Sequence, residues 1–133
     1  MAWSDDFIGL PHAPLGRSAA GVDCWGLVHF VFGSIDRPLP SYAGDYASLD
    51  ERAEIASLIG GAKSSSDWRS VEQPRPFDVL TFRHGRIDGH VGIVVEPGRM
   101  LHVTADKPSC IEDYTLPRWA CRLTGIWRHA SLS

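Results

Sequence analysis

The chain has 133 residues, 44% of them hydrophobic and 22% charged, with a formal net charge of -3. That length suits one domain, residues 1–133, with a core that needs no staples. The cations are scattered and nearly all arginine, only Lys63 and Lys107 being lysines, which gives no footprint for nucleic acid. No run of about 18 apolar residues exists to span a membrane.

Taken in chain order, the acidic start Met1–Asp6 lacks a signal-peptide core, so action outside the cytoplasm would need another route of export. Residues 7–20 carry Phe7, Ile8 and Leu10, then Pro11, Pro14 and Gly16, and read as a short helix or irregular arm leading into a loop. The run Gly21-Val22-Asp23-Cys24-Trp25-Gly26-Leu27-Val28 follows, and Phe30, Val31 and Phe32 extend it. An Asp directly before an apolar run is a helix N-cap, since its carboxylate accepts from unpaired first-turn amides. The spacing predicts a buried central helix from Cys24 to about Gly33. Cys24 then takes the first helical position, where the helix dipole favours thiolate. A free cysteine is also commonly a small buried hydrophobe, so the nucleophile reading needs a base elsewhere in the chain.

Arg37-Pro38-Leu39-Pro40 makes a stiff exit from that helix. Ser48-Leu49-Asp50-Glu51 has the capping-box pattern, and the apolar residues behind it predict a second helix over 48–59, stopped by Gly60-Gly61. Residues 62–75 read as loop. The texture then turns to strands: 77–82, 91–95, 100–104 and 122–128, separated by turns such as His84-Gly85-Arg86 and Glu96-Pro97-Gly98. Helices followed by strands imply an α+β domain.

Two histidines fall in this second half, His90 at the head of one strand and His102 in the next. A three-residue loop over 96–98 sets His102 opposite Gly92. The rings then share a face about 7 Å apart on the diagonal, as a base and its orienting partner would. Strand histidines also serve as hydrogen-bonded structural residues, so the pair alone does not decide the matter. Three cysteines argue against a disulfide scaffold, although Cys110 and Cys121 could pair. No CxxC or HxxxH spacing supports structural zinc; Cys24, His90 and His102 remain an alternative metal set.

Asp23-Cys24-Trp25-Gly26-Leu27, His90-Val91-Gly92-Ile93 and His102 together resemble the NlpC-type cysteine peptidases of the papain-like class. Asp78-Val79-Leu80 resembles the family's Gly-Asp-Val/Leu strand, and Gly9-Leu10-Pro11-His12 its Gly-x-Pro-Tyr element, so the likeness covers roughly residues 8–104. It implies a papain-like NlpC fold, with N-terminal helices and the Cys-bearing central helix packed on a C-terminal antiparallel sheet. The implied activity is cleavage of bacterial peptidoglycan stem peptides, typically at the D-glutamyl–diaminopimelate bond. Cys24 would be the nucleophile, His90 the base and His102 its orienting partner, with no cofactor and no metal. Two positions depart from the pattern: Trp25 stands where Ser is usual, and His12 where Tyr is usual. Asp23, Trp25 and His12 are the candidate substrate-binding residues, Asp23 as a cap, a ligand for a substrate amine, or both. The Asp-Cys-Trp-Gly-Leu variant and the ending Arg118-Trp119 to Trp127-Arg128 resemble small peptidase-like proteins of phage tails and gene transfer agents. That implies tail-tip or hub proteins as partners, incorporation into a tail after synthesis in the cytoplasm, and action at the periplasmic cell wall. The rival expectation is a tail-assembly protein that keeps the peptidase fold for structure alone.

Overall fold

The organising element is α1 (Cys24–Ser34), and its start follows from one side chain. Asp23 is extended (φ -92°, ψ -176°), and its carboxylate accepts from the Gly26 amide at 2.7 Å, which satisfies a first-turn donor. Cys24, Trp25, Leu27, Val28, Val31 and Phe32 are all buried, so the helix is apolar around most of its circumference. Each large side chain so buried contributes about 1.5–3 kcal/mol. The helix runs one residue past Gly33. Asp36, not a glycine, takes the left-handed conformation that ends it (φ 58°), as the short polar side chain of Asp permits. This computed structural model describes residues 3–14, 16–39, 67–84 and 87–132. The helix expected over 48–59 lies outside the described residues.

Before α1, a 3-10 turn (Trp3–Phe7) leads to a small ribbon of β1 (Arg17–Ser18) and β2 (Gly21–Val22). After it come β3 (Trp68–Ser70), β4 (Val79–His84), β5 (Ile87–Glu96), β6 (Arg99–Thr104) and β7 (Lys107–Asp113). A one-turn helix, α2 (Pro117–Ala120), then precedes β8 (Leu123–His129) and a last 3-10 turn (Ala130–Leu132). Strands β3 to β8 form one antiparallel sheet in the order β3-β8-β4-β5-β6-β7. The architecture is therefore α+β, a helix against an antiparallel sheet.

The first expected strand begins two residues late. Phe77 is left-handed (φ 74°) and stacks on Trp3 with ring centroids 4.4 Å apart, so the regular ladder begins after it even though its amide donates to the Val94 carbonyl at 2.9 Å. Asp78 is fully buried and accepts from Arg128 Nε at 2.8 Å and Nη2 at 2.7 Å, tying the start of β4 to β8. β7 falls outside the strands expected from the sequence, since Pro108 breaks the strand pattern; it is an edge strand, where proline is tolerated. Ser109 anchors it to the N-terminal arm, its hydroxyl accepting from the Leu10 amide and donating to the Phe7 carbonyl.

The turn between β5 and β6 corrects the expected reason for register. It has two residues, Pro97 and Gly98 (φ 95°), so Glu96 faces Arg99. By itself that turn would send the two histidines to opposite faces. A bulge between Val94 and Glu96 absorbs one residue, and from Val94↔Met100 and Ile93↔Leu101 onward the ladder sets Gly92 against His102. A Cβ built on Gly92 would lie 2.8 Å from Met100 Sδ and 3.5 Å from His102 Cβ, so side chains of β6 already fill the space beside it.

Alternation along the strands sorts their side chains onto two faces. Val79, Val91, Ile93, Leu101 and Val103 join α1 in one apolar cluster. Leu80, Phe82, Val94 and Met100 turn the other way and pack with Tyr114 and Trp119.

Candidate active site

Cys24 sits where the capped first turn of α1 begins, and the residue is buried. Its surroundings are fixed by close backbone approach. A Cβ on Gly26 would fall 1.9 Å from the Gly16 carbonyl oxygen, so glycine at this position lets the preceding loop lie against the helix start. Arg17 donates to the Gly16 carbonyl and to the Asp23 carboxylate, both at 2.8 Å, and stitches that loop to the cap. α1 packs on β5 and β6, the two strands that carry the histidines. Cys24 belongs to the cluster containing Val91, Ile93, Leu101 and Val103, residues that alternate with His90 and His102 along those strands.

The two imidazoles meet. His90 Nε2 and His102 Nδ1 are 2.9 Å apart, with ring centroids 5.1 Å apart and planes 77° to one another. Both residues are buried, His102 completely. Burial holds the His102 pKa down at about 4 against the attraction of Glu112, so the ring is neutral near neutral pH.

Two residues absent from the sequence-derived site complete this cluster. Trp119, on α2, stacks on His90 (centroids 5.3 Å, planes 25° apart) and meets His102 edge-on (4.9 Å, 87°). Glu112, on β7, places Oε1 3.5 Å from His102 Nε2, and Lys107 and the Trp119 indole N–H both donate to its carboxylate. Burial pushes the Glu112 carboxyl up, but those two hydrogen bonds and the nearby charges outweigh it and bring the pKa to about 2. Glu112 is therefore ionised near neutral pH. The turn Ala105–Asp106 sets Thr104 opposite Lys107 and by itself would turn Glu112 to the other face; a bulge between His102 and Thr104 shifts the register to His102↔Cys110 and Met100↔Glu112 and so puts Glu112 on the histidine face. For Trp119 no pattern in the sequence pointed to the site.

The candidate substrate-binding residues lie close together along the backbone. Pro11 accepts from, and Ala13 donates to, Val22, the residue before Asp23, and so the half-buried His12 lies alongside β2. Asp23 and Trp25 are buried. Cys110 and Cys121 are both free thiols. Among the described residues, one group has the spacing to hold a metal ion: ligand atoms of His102, Cys110 and Glu112 lie within 4.8 Å of one another. This is not the set expected from the sequence, and the Lys107 ammonium already pairs with the Glu112 oxygen involved. No described helix is long and apolar enough to cross a membrane.

A family model described as the NlpC/P60 family matches residues 9–128, a span that contains Cys24, His90 and His102. No curated protein matches the chain. Among solved structures, an NlpC/P60 family protein from Bacillus cereus ATCC 10987 superposes with a TM-score of 0.68 at 21% identity, over 95% of this chain and 37% of that one. The NlpC/p60 domain of the peptidoglycan hydrolase SagA gives 0.63 at 18% identity, over 92% and 90% of the two chains. The P60 domain of an antigen from M. avium subspecies paratuberculosis gives 0.61 at 16%, over 94% and 87%. The chain thus spans little more than a third of the B. cereus protein but nearly the whole of the two isolated domains.

Proposed function

The chain belongs to the NlpC/P60 family, and from that membership we propose that it is a cysteine peptidase or amidase acting on the stem peptides of bacterial cell-wall peptidoglycan. The observation that carries this reading is the His90–His102 bond of 2.9 Å, on the two strands that support the cysteine-led helix. SagA, a peptidoglycan hydrolase of the same fold, supports the substrate class.

In this mechanism the Cys24 thiolate attacks the scissile carbonyl, and the C–N bond breaks as His90 returns the thiol proton to the leaving amine. Water then attacks the thioester, giving up a proton to His90 and releasing Cys24. His102 holds the His90 ring through the Nε2–Nδ1 bond and favours its charged form. The Cys24 amide, in the first turn of α1, is the group this mechanism uses to stabilise the oxyanion. Asp23 acts through the helix start that it caps, while Trp25 and His12 shape the substrate end. The D-glutamyl–diaminopimelate bond is the finer assignment, drawn from the likeness of the motifs. Carriage on a phage-like tail, with tail-tip or hub proteins as partners, is a further refinement. It is supported by the Asp23–Leu27 variant and by the pairs Arg118-Trp119 and Trp127-Arg128.

Mass spectrometry of muropeptides incubated with the purified protein tests the proposal. Products shortened by one peptide bond, formed by the wild type and not by Cys24→Ala, are expected. Intact muropeptides, or equal cleavage by both proteins, would refute it.

A further inference from the structure

We infer that Glu112 is a positioning residue that fixes the proton arrangement of the histidine pair and so decides which nitrogen of His90 can act as the base. The inference rests on the role of His90 proposed above. Its geometry is a line of polar atoms on one face of β5, β6 and β7. His90 Nε2 lies 2.9 Å from His102 Nδ1, and His102 Nε2 lies 3.5 Å from Glu112 Oε1.

His102 is fully buried and neutral near neutral pH, so it carries one ring proton. That proton has two places to be. On Nδ1 it would point at His90 and leave the Nε2 lone pair facing an ionised carboxylate, with no hydrogen-bond donor to Nε2 among the described residues. On Nε2 it lies on the side of that carboxylate, whose Oε1 is 3.5 Å away and whose charge attracts it. The second arrangement removes the repulsion, so His102 is the Nε2–H tautomer and its Nδ1 is an acceptor.

The consequence passes to His90. Nε2 of His90 must then be the donor in the 2.9 Å bond, and its Nδ1 bears the lone pair. When His90 Nδ1 takes the Cys24 proton, the imidazolium keeps its Nε2–H bonded to neutral His102. No proton moves on to Glu112. The opposite tautomer of His102 would leave His90 protonated on Nδ1 and unable to accept there.

The surroundings hold Glu112 to this task. Lys107 and Trp119 donate to its carboxylate, and Trp119 also stacks on His90, so one side chain braces both ends of the line. The other groups facing this cluster are Cys110, whose thiol donates toward Glu112 Oε1 at 3.8 Å, and Arg118 and Arg122, whose guanidinium carbons lie 5.4 and 4.4 Å from the Trp119 ring centroid. Lys107 pairs with the Glu112 carboxylate, and burial keeps a second proton off His102.

The test is long-range 1H–15N correlation on protein labelled with 15N-histidine, near neutral pH. The expected wild-type spectrum shows His102 protonated at Nε2 alone and His90 protonated at Nε2, with a second proton on His90 Nδ1 wherever that ring holds the Cys24 proton. In Glu112→Gln, which keeps the size and removes the charge, the Nδ1–H form of His102 should appear beside the other. Alkylation of Cys24 and kcat/KM should both fall, by about 10- to 100-fold, the usual effect of losing an outer orienting partner. A wild-type His102 protonated on Nδ1, or a Glu112→Gln spectrum still showing only the Nε2–H form, would overturn the inference. The wild-type spectrum needs no variant to fold and no substrate. Expected tautomers in a protein that leaves muropeptides intact would therefore refute the peptidase reading while leaving the role of Glu112 standing.

Discussion

The two faces of the central sheet do different work with the same strands. On one, Val79, Val91, Ile93, Leu101 and Val103 meet α1 and bury apolar surface with no polar side chain among them. On the other, Leu80, Phe82, Val94 and Met100 surround His90, His102 and Glu112, and Trp119 covers them. The first face draws its stability mainly from apolar burial, with His129 packed on Phe32 and Trp68 as a titratable group at its margin. The second buries titratable groups, so its contribution depends on which of them carry protons. A single residue out of register would exchange the two sets, which is why the bulge before Glu96 matters more than its size suggests.

The largest effect should come from the reacting atom. Cys24→Ala should lower turnover by at least about 10³-fold, in line with removing a nucleophile, while the melting temperature changes little. Leu101→Ala should act on stability first: a loss of about 2–5 kcal/mol in urea unfolding, with the change of stability between pH 6.5 and 4 kept as in the wild type. If that variant lost the pH dependence as well, the separation of the faces would not hold.

Acid should act mainly on the polar face, with a smaller contribution from His129, whose pKa burial also holds below its usual value. Unfolded His102 takes a proton near 6.5, whereas the folded ring resists it until about 4, so the unfolded state binds more protons between those values. Stability should therefore be flat above pH 6.5 and fall by about 3 kcal/mol as pH drops to 4. Glu112, held near 2 instead of its usual 4.5, adds a further loss as pH falls below 4.5. Urea midpoints measured across this range check the slope, and His102→Asn should flatten its upper part. The smallest effect is at the helix start. Asp23→Ala should cost about 1–2 kcal/mol, as loss of an N-cap does, and a smaller change would mean that the cap adds little beside the packing of α1.

What the sequence disclosed follows the range of the interactions involved. Asp23 and Cys24 are neighbours, and a cap acts over three residues, so the start of α1 was legible. So was the shared face of His90 and His102, although the expected three-residue loop proved to be a two-residue turn with a compensating bulge. Glu112 is not legible because Pro108 hides an edge strand and because plain alternation from the Ala105–Asp106 turn would aim Glu112 the other way; only the bulge between His102 and Thr104 brings it to the histidine face. Trp119 reaches the histidines from a one-turn helix after β7, a contact that no periodicity announces. Phe77 reads as strand by composition, yet it stacks on Trp3 with a left-handed backbone, and the regular ladder begins after it.

The most direct measurement of the central claim, that Cys24 is activated by His90, is the rate of alkylation of each thiol against pH. Wild-type protein should react selectively at Cys24 near neutral pH, ahead of the more exposed Cys121, and His90→Ala should lose that reactivity while remaining folded. A Cys24 that reacts no faster than an ordinary thiol, or equally fast without the His90 ring, would contradict the account.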